Sequence, residues 1–254
     1  MPPILNISAY RFVAIDDPQR LRDAIARQAA ALALRGSVLI AAEGINLFLA
    51  GAPAAVREFI AWLRADDRFA GLRPTESGSN ELPFGRLRVK VKAEIIRMNR
   101  PTIRPELRRA PAVDAATLAR WLDDGHDVAG RPVLLLDTRN AFEVDQGRFR
   151  GALDWRLGRF GEFPAAAHRH RDRLAGATVV TYCTGGIRCE KAALLLAQAG
   201  VDNVLQLDGG ILGYFQRVGN RHFDGDCFVF DQRTALDADR AQPPADRGSA
   251  ALPA

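Results

Sequence analysis

The length, composition and charge of this chain are ordinary for a soluble globular protein with one or two domains. Of its 254 residues, 48% are hydrophobic and 26% are charged, and the formal net charge is only +5. No stretch approaches 18 uninterrupted apolar residues, and the N-terminus lacks the basic and long apolar regions of a signal peptide, so we expect no membrane association. The three cysteines, Cys183, Cys189 and Cys227, do not make a disulfide framework, so we expect a cytoplasmic protein.

Residues 1–98 are predicted to form a ferredoxin-like α+β domain with the element order βαββαβ. Asp16-Asp17-Pro18 precedes the first helical pattern and Pro53 precedes the second, as is typical of helix starts. The polar, glycine-containing residues 76–80 are predicted to be a loop. The predicted elements are, in order, a strand at 4–14, a helix at 21–34, strands at 37–42 and 46–50, a helix at 54–65 and a strand at 87–98.

A proline- and arginine-rich linker at residues 99–112 is predicted to lead into a second domain over residues 113–222. In that domain the apolar run at 133–136 is continuous, as expected for a parallel strand covered on both faces. We therefore expect an α/β protein in which an α+β domain precedes a parallel-sheet domain. Residues 223–254 form a C-terminal segment, and from about residue 237 its mixture of Asp, Ala, Pro and Arg has almost no apolar pattern and predicts disorder.

The residues with most bearing on function are those at 182–189, Tyr-Cys-Thr-Gly-Gly-Ile-Arg-Cys, between an apolar strand and a helical run. A cysteine at a strand end, a glycine-bearing loop and a helix start describe an anion cradle, which lowers a thiol pKa from its free value of about 8.5. An inert buried cysteine would require neither the two glycines nor the arginine. Cys183 is therefore the predicted catalytic nucleophile. The predicted active-site loop around it is Thr184, Gly185, Gly186, Ile187 and Arg188, with Arg188 either binding an anion or bracing the loop.

The length of this loop resembles that of the rhodanese (sulfurtransferase) superfamily. Four residues separate Cys183 from Arg188, one fewer than in the phosphate-sized loop of cysteine phosphatases, and a shorter loop suits a smaller group such as a persulfide sulfur. Asp137-Thr138-Arg139, the following Glu143 and the stretches at 147–152 and 204–211 also resemble rhodanese domains, although Arg148 stands where many members have histidine. The resemblance implies a rhodanese-like parallel-sheet domain. Asp137, Arg139 and Glu143 are expected to be structural.

The amino-acid sequence of the loop is similar to that of a narrower group, the oxygen-dependent tRNA uridine(34) hydroxylase family. The stretches at 42–46 (A-E-G-I-N), 89–96 (V-K-V-K-A-E-I-I) and 228–231 (F-V-F-D) also fit, so the resemblance covers about residues 4–236. It implies hydroxylation of C5 of the wobble uridine of tRNA to 5-hydroxyuridine, with molecular oxygen as co-substrate and Cys183 as the essential thiol. The alternatives are a sulfurtransferase that carries a persulfide on Cys183, and an RNA-binding module whose rhodanese domain has lost its activity.

A basic stretch precedes the second domain. Residues 86–109 contain nine arginines and lysines and only two glutamates. On the predicted strand, alternation places Arg88, Lys90 and Lys92 on one face, and Leu87, Val89 and Val91 on the other. This cationic face is either plainly solvated or a track for tRNA phosphates, and the family resemblance favours tRNA contact.

The remaining motifs predict little chemistry of their own. Cys189 is either a second, resolving thiol for an adduct on Cys183 or a replacement for a hydroxyl, and Cys227 is expected to be buried. The spacing of cysteine and histidine makes no zinc site, and there is no GxGxxG or P-loop pattern, so no metal or nucleotide cofactor is expected. Nothing indicates an obligate protein partner. The turn at Glu43-Gly44-Ile45-Asn46 has no predicted role beyond its shape.

Overall fold

Two five-stranded sheets organise the chain, which the computed structural model describes over residues 4–242. The N-terminal sheet has the strand order β4-β1-β3-β2-β5. Its pairings are antiparallel, except that β5 runs parallel to β2. Its elements are β1 (Ile4–Phe12), α1 (Pro18–Ala31), β2 (Arg35–Ala41), β3 (Gly44–Gly51), α2 (Pro53–Arg64), β4 (Thr75–Ser79) and β5 (Leu87–Val91).

The two helices cover only one face of this sheet. Asp17 begins α1 by accepting a hydrogen bond from the backbone N–H of Arg20, and Pro18 occupies the first turn. Leu5 and Ile7 of β1 point into the core between sheet and helices. Because side chains alternate along a strand, Ser8 and Tyr10 point to the opposite face, which is turned toward the rest of the chain.

Two predictions for this domain need correction. Residues 76–80 are not a loop, because Thr75–Ser79 pairs with β1 as the edge strand β4. The predicted last strand also ends at Val91 instead of Met98, and it forms an added fifth strand. The order βαββαβ is still obtained, with β4 as its final strand. The polar composition of β4 made this strand resemble a loop in the sequence. An edge strand pairs on one side only and tolerates polar side chains.

The second sheet is entirely parallel, with the order β6-β11-β10-β7-β9. Helices α3 and α7 lie against one of its faces and α5 and α6 against the other, each pair with its own core. The predicted fold class is therefore confirmed. The elements are β6 (Ala112–Val113), α3 (Ala115–Asp124), β7 (Val133–Asp137), α4 (Ala141–Val144), β8 (Gly147–Phe149), β9 (Leu153–Asp154), α5 (Phe163–His170), β10 (Thr178–Tyr182), α6 (Ile187–Gln198), β11 (Val204–Leu207) and α7 (Gly210–Val218).

The chain after α7 returns to the N-terminal domain. Three short strands, β12 (Phe223–Gly225), β13 (Cys227–Phe228) and β14 (Ala235–Leu236), lie in this segment. Residues 237–242, predicted to be disordered, are ordered: Ala241 is buried, and Gln242 accepts a hydrogen bond from the N–H of Gly78 and donates to the carbonyl of Phe215. Tertiary hydrogen bonds of this kind leave no mark on local composition. Residues 243–254, the rest of the predicted disordered segment, lie outside the described part. Over residues 4–242, no helix is long and apolar enough to cross a membrane.

Candidate active site

Cys183 follows the central strand β10 at the carboxyl edge of the parallel sheet, where open α/β sheets bind their ligands. The loop after it ends at Gly186, the residue before α6, which has a φ of 98° and donates its N–H to the Cys183 sulfur at 3.1 Å. The first turn of α7 also fixes the loop, because the N–H of Ile211 donates to the carbonyl of Cys183. A Cβ at Gly210 would lie 2.5 Å from that carbonyl oxygen, so only glycine fits at this turn.

The surroundings of Cys183 favour the thiolate. Burial is the largest influence and raises the pKa, but several contacts outweigh it. They are a hydrogen bond from the Cys189 thiol, the positive charge of Arg188 and the backbone N–H groups of Arg188 and Gly186. Together they lower the pKa of Cys183 from its ordinary value to about 6. The sulfur is therefore largely ionised near neutral pH, as a nucleophile requires.

Arg188 braces the loop. Its Nη1 and Nη2 atoms donate to the two carboxylate oxygens of Glu143 at 2.6 and 2.7 Å, in a fully buried fork. Glu143 also accepts from the N–H of Asn140, so α4 is tied to the start of α6. Of the two roles predicted for Arg188, these contacts describe bracing, and its charge still stabilises the thiolate.

A second buried ion pair, between Asp137 and Arg139, supports the edge of β7. Arg139 donates to the Asp137 carboxylate at 2.6 to 3.1 Å and to the carbonyls of Glu143 and Gly147. Both side chains are fully buried and lie outside the lining of the cavity that contains Cys183. This is the structural arrangement expected for them.

The other two cysteines differ sharply from Cys183. Cys189 is buried, and burial first and the neighbouring Cys183 second raise its pKa well above the ordinary value, so it stays protonated. Its predicted role as a resolving thiol stays a prediction. Burial raises the pKa of Cys227 to about 12. All three cysteines are free.

The two domains enclose a cavity of about 1110 Å³ above the Cys183 loop. Its roof is the helix-free face of the N-terminal sheet, where Ser8 and Tyr10 rest on the loop glycines. A Cβ at Gly186 would lie 2.9 Å from the Tyr10 hydroxyl, and one at Gly185 would lie 3.4 Å from Ser8 Oγ. The N-terminal domain therefore completes the site. Sequence analysis assigned no roof residues, because alternation in β1 shows that Ser8 and Tyr10 share a face but not what that face contacts.

Basic and aromatic side chains line the rest of the cavity. Arg88, predicted to contact tRNA, lies in the wall. Lys90 and Lys92 are exposed further along the same segment and do not line the cavity. The other basic and aromatic lining residues, which the sequence analysis did not single out as site residues, are Arg86, Arg97, Arg159, Phe48, Phe84, Phe160 and Phe230.

Lys191 of α6 fastens the second domain to the N-terminal domain. Its Nζ atom donates to Glu43 at 2.9 Å, to Glu94 at 2.7 Å and to the carbonyl of Ile96 at 3.0 Å. The neighbouring Glu190 accepts from the hydroxyl of Tyr10 at 3.2 Å. The turn at Glu43 thus has a role that its shape alone did not indicate. Over residues 4–242, no group of three or more His, Cys, Asp or Glu side chains is arranged to hold a metal ion.

Iodoacetamide should modify Cys183 before the other cysteines and at an unusually low pH. Its thiolate fraction should rise as the pH passes about 6, whereas a thiol with the reference pKa of about 8.5 stays mostly protonated at neutral pH. Peptide mapping after limited labelling at a series of pH values measures this order. Cys227, which lies outside the cavity lining, is the internal reference, and its earlier labelling would contradict the assignment.

Comparison with known proteins gives matches in both domains. Residues 4–95 match the UPF0176 acylphosphatase like domain, and residues 114–217 match the rhodanese-like domain. A tRNA uridine(34) hydroxylase of Variovorax paradoxus (strain S110) is 59% identical over 251 residues, covering 99% of this chain and 95% of the relative. A protein of the same name from Bordetella petrii is 60% identical over 237 residues, covering 93% of this chain and 94% of the relative. Identity of this extent shows that the chain belongs to the tRNA uridine(34) hydroxylase family.

Proposed function

We propose that this protein hydroxylates C5 of uridine 34 of tRNA to 5-hydroxyuridine, in the cytoplasm, with molecular oxygen as co-substrate and no resident cofactor. One oxygen atom enters the base and the other leaves as water, so the reaction also takes two electrons and two protons from a reductant outside the protein. The observation that carries the proposal is the position of Cys183 at the floor of a cavity between two domains, where its sulfur accepts a hydrogen bond from the N–H of Gly186. The volume of about 1110 Å³ is slightly above the range of about 300 to 1,000 Å³ that is typical of small-molecule pockets, so the cavity has room for a nucleoside. The names of the relatives supply the substrate and the reaction.

Single-stranded RNA suits this cavity better than a duplex does. Enzymes that modify a base inside a pocket take that base out of its stack, and an unpaired loop nucleotide makes this least costly. Arginines and phenylalanines in the lining provide contacts for phosphates and base faces. The uridine would enter beneath the N-terminal sheet and meet the sulfur of Cys183 at the floor.

The chain's own residues would have separate tasks in this reaction. Cys183 is the thiolate that acts on the base or carries an adduct toward it. The N–H of Gly186 holds the thiolate by a hydrogen bond, and Arg188 adds positive charge while Glu143 fixes the position of Arg188. Ser8 and Tyr10 cover the loop glycines Gly185 and Gly186 from the N-terminal sheet.

Nucleoside analysis of tRNA from cells with and without the gene tests the proposal. Loss of the gene should remove 5-hydroxyuridine from the wobble position, and depriving wild-type cells of oxygen should lower it. Sulfur-modified nucleosides should stay at their normal level. Unchanged 5-hydroxyuridine together with loss of thiolated products would instead assign the protein as a sulfurtransferase that carries a persulfide on Cys183.

Replacing Arg88, Lys90 and Lys92 together by glutamine should weaken tRNA binding and lower its salt dependence. Each lost phosphate contact removes about 0.7 to 0.9 from the magnitude of the slope of log affinity against log salt concentration, so the triple variant should lose up to about 2.7 units. Binding titrations at several salt concentrations measure the slope.

The matched control for this test removes the same charge elsewhere. Arg27, Arg120 and Arg217 are exposed on α1, α3 and α7, and none of them lines the cavity. Their replacement by glutamine should leave the slope nearly unchanged. Equal slopes for the two triple variants would show that the face of Arg88, Lys90 and Lys92 is simply solvated.

A further inference from the structure

A row of phenylalanine rings leads from the roof of the cavity to the outer surface. The ring of Phe48 lies 6.4 Å from that of Phe230, Phe230 lies 5.2 Å from Phe228, and Phe228 lies 5.2 Å from Phe142, measured between centroids. Phe230 is 47% exposed and Phe142 is 49% exposed, which is unusual for side chains of this size. The catalytic arrangement described above does not use the exposed face of Phe230.

Phe230 separates the main cavity from a second, shallower depression. This depression, here called the aromatic groove, has a volume of about 390 Å³ and is lined by Pro83, Phe84, Gly85, residues 228–232 and Thr234. Phe84, Gly85, Phe230 and Gln232 line both the groove and the main cavity. A chain that places one group above Cys183 can therefore place the next group in the groove.

The segment that presents Phe230 is held firmly on the N-terminal domain. The N–H of Gln232 donates to the carbonyl of Pro83 at 3.1 Å, and Arg233 donates to Ser77 Oγ at 2.8 Å. The N–H of Val229 donates to the carbonyl of Thr234 at 2.8 Å, which closes the turn. An aromatic ring held in this way loses little conformational entropy when a flat group stacks on it.

The charges around both depressions favour a polyanion. Arg86 and Arg88 line the main cavity, and over residues 4–242 neither side chain is in an ion pair. The acidic side chains of the two linings are Glu162, which lies 3.4 Å from Arg159, and Asp231, which is paired with Arg233. Aromatic rings beside uncompensated arginines are typical of surfaces that bind single-stranded nucleic acid.

We propose that the aromatic groove is a stacking subsite for the nucleobase next to the target uridine, with Phe230 as its platform. The inference rests on the proposed function, because it takes a single-stranded RNA loop as the substrate. Stacking on a ring is insensitive to base identity, so this subsite would accept different anticodons while it fixes the position of the chain over Cys183.

A binding cycle with an anticodon stem-loop RNA tests the proposal. The affinity of the intact RNA is compared with that of two RNAs that lack the base at position 33 or at position 35. Phe230→Leu should weaken binding of the intact RNA about fivefold or more, and removal of one of the two bases should weaken wild-type binding similarly. The two changes together should weaken it no further than either alone, because they remove the same contact. Phe230→Tyr, which keeps a ring, should bind normally.

Phe142→Leu is the matched control. It removes an equally exposed phenylalanine from the far end of the row, and Phe142 lines neither depression. Its affinity should equal that of the wild type. Because the Arg188 guanidinium lies 5.9 Å from the Phe230 ring, the alkylation rate of Cys183 in Phe230→Leu is measured too and should be unchanged.

The possible failures are distinct. Three outcomes would overturn the stacking subsite and leave the hydroxylation proposal standing. The losses of RNA affinity from Phe230→Leu and from removal of the base could multiply, which would show that they are independent. Phe142→Leu and Phe230→Leu could lose equal RNA affinity, or the loss of affinity in Phe230→Leu could follow a change in the alkylation rate of Cys183. A wild-type protein that binds none of the RNAs would overturn the proposed function and the subsite with it.

Discussion

Replacing Cys183 by serine should reduce 5-hydroxyuridine at position 34 to the level found in cells that lack the gene. A serine hydroxyl stays protonated near neutral pH, so the hydrogen bonds and charges that ionise the thiol would act on a group that cannot ionise or carry a sulfur or oxygen adduct. The measurement is nucleoside analysis of tRNA from a gene-deletion strain that expresses only the variant. The change is small and the loop backbone is held by glycines and by α7, so the fold should be retained.

Cys227→Ser is the control for this experiment. Cys227 is also a buried cysteine, but its raised pKa and its place in β13, outside the cavity lining, predict normal 5-hydroxyuridine. Normal modification in the Cys183→Ser strain would exclude Cys183 as the essential thiol. If Cys183→Ser lost thiolated products and kept 5-hydroxyuridine, the sulfurtransferase alternative would be favoured.

The Cys183 loop could be predicted from the sequence because its determinants are contiguous. The strand, the two glycines, the helix start and Arg188 occupy adjacent positions, and local geometry alone brings their amides toward the sulfur. The role of Arg188 could be narrowed only to two choices, since its partner Glu143 lies 45 positions away. The fork to Glu143 supports bracing, and binding of an anion stays a prediction because Arg188 also lines the cavity.

The roof of the cavity could not be predicted in the same way. Ser8 and Tyr10 reach the loop glycines across about 180 residues of sequence, through the docking of one domain on another. Alternation in β1 shows which side chains share a face, but not what that face contacts. The strand β4 was not predicted for a related reason, since its pairing with β1 spans about 70 residues and its polar side chains resemble those of a loop.

The role of Lys191 could not be predicted from the sequence either. Of the 35 arginines and lysines only Lys90, Lys92 and Lys191 are lysine, and the first two are exposed, so the scarcity of lysine alone indicates nothing about position 191. At that position the compact ammonium donates to two carboxylates and one carbonyl. These partners lie 95 or more positions earlier in the chain, so no local pattern joins them to Lys191.

Lys191→Met should destabilise the protein by about 3 kcal/mol and lower the hydroxylation yield. The Lys191 side chain is only 2% exposed, and its removal leaves Glu43 and Glu94 as unpaired neighbouring carboxylates, a situation that costs about 3 to 5 kcal/mol when it is fully buried. Their side chains are 14% and 20% exposed, so the lower end of that range is expected. Denaturant unfolding measures the stability.

Lys90→Met is the control. Lys90 is an exposed lysine, and its replacement should change the free energy of unfolding by less than about 0.5 kcal/mol. Equal stability of the two variants would mean that Lys191 does not fasten the domains. A stability loss in Lys191→Met with full hydroxylation in the surviving protein would show that Cys183 works without a fixed roof.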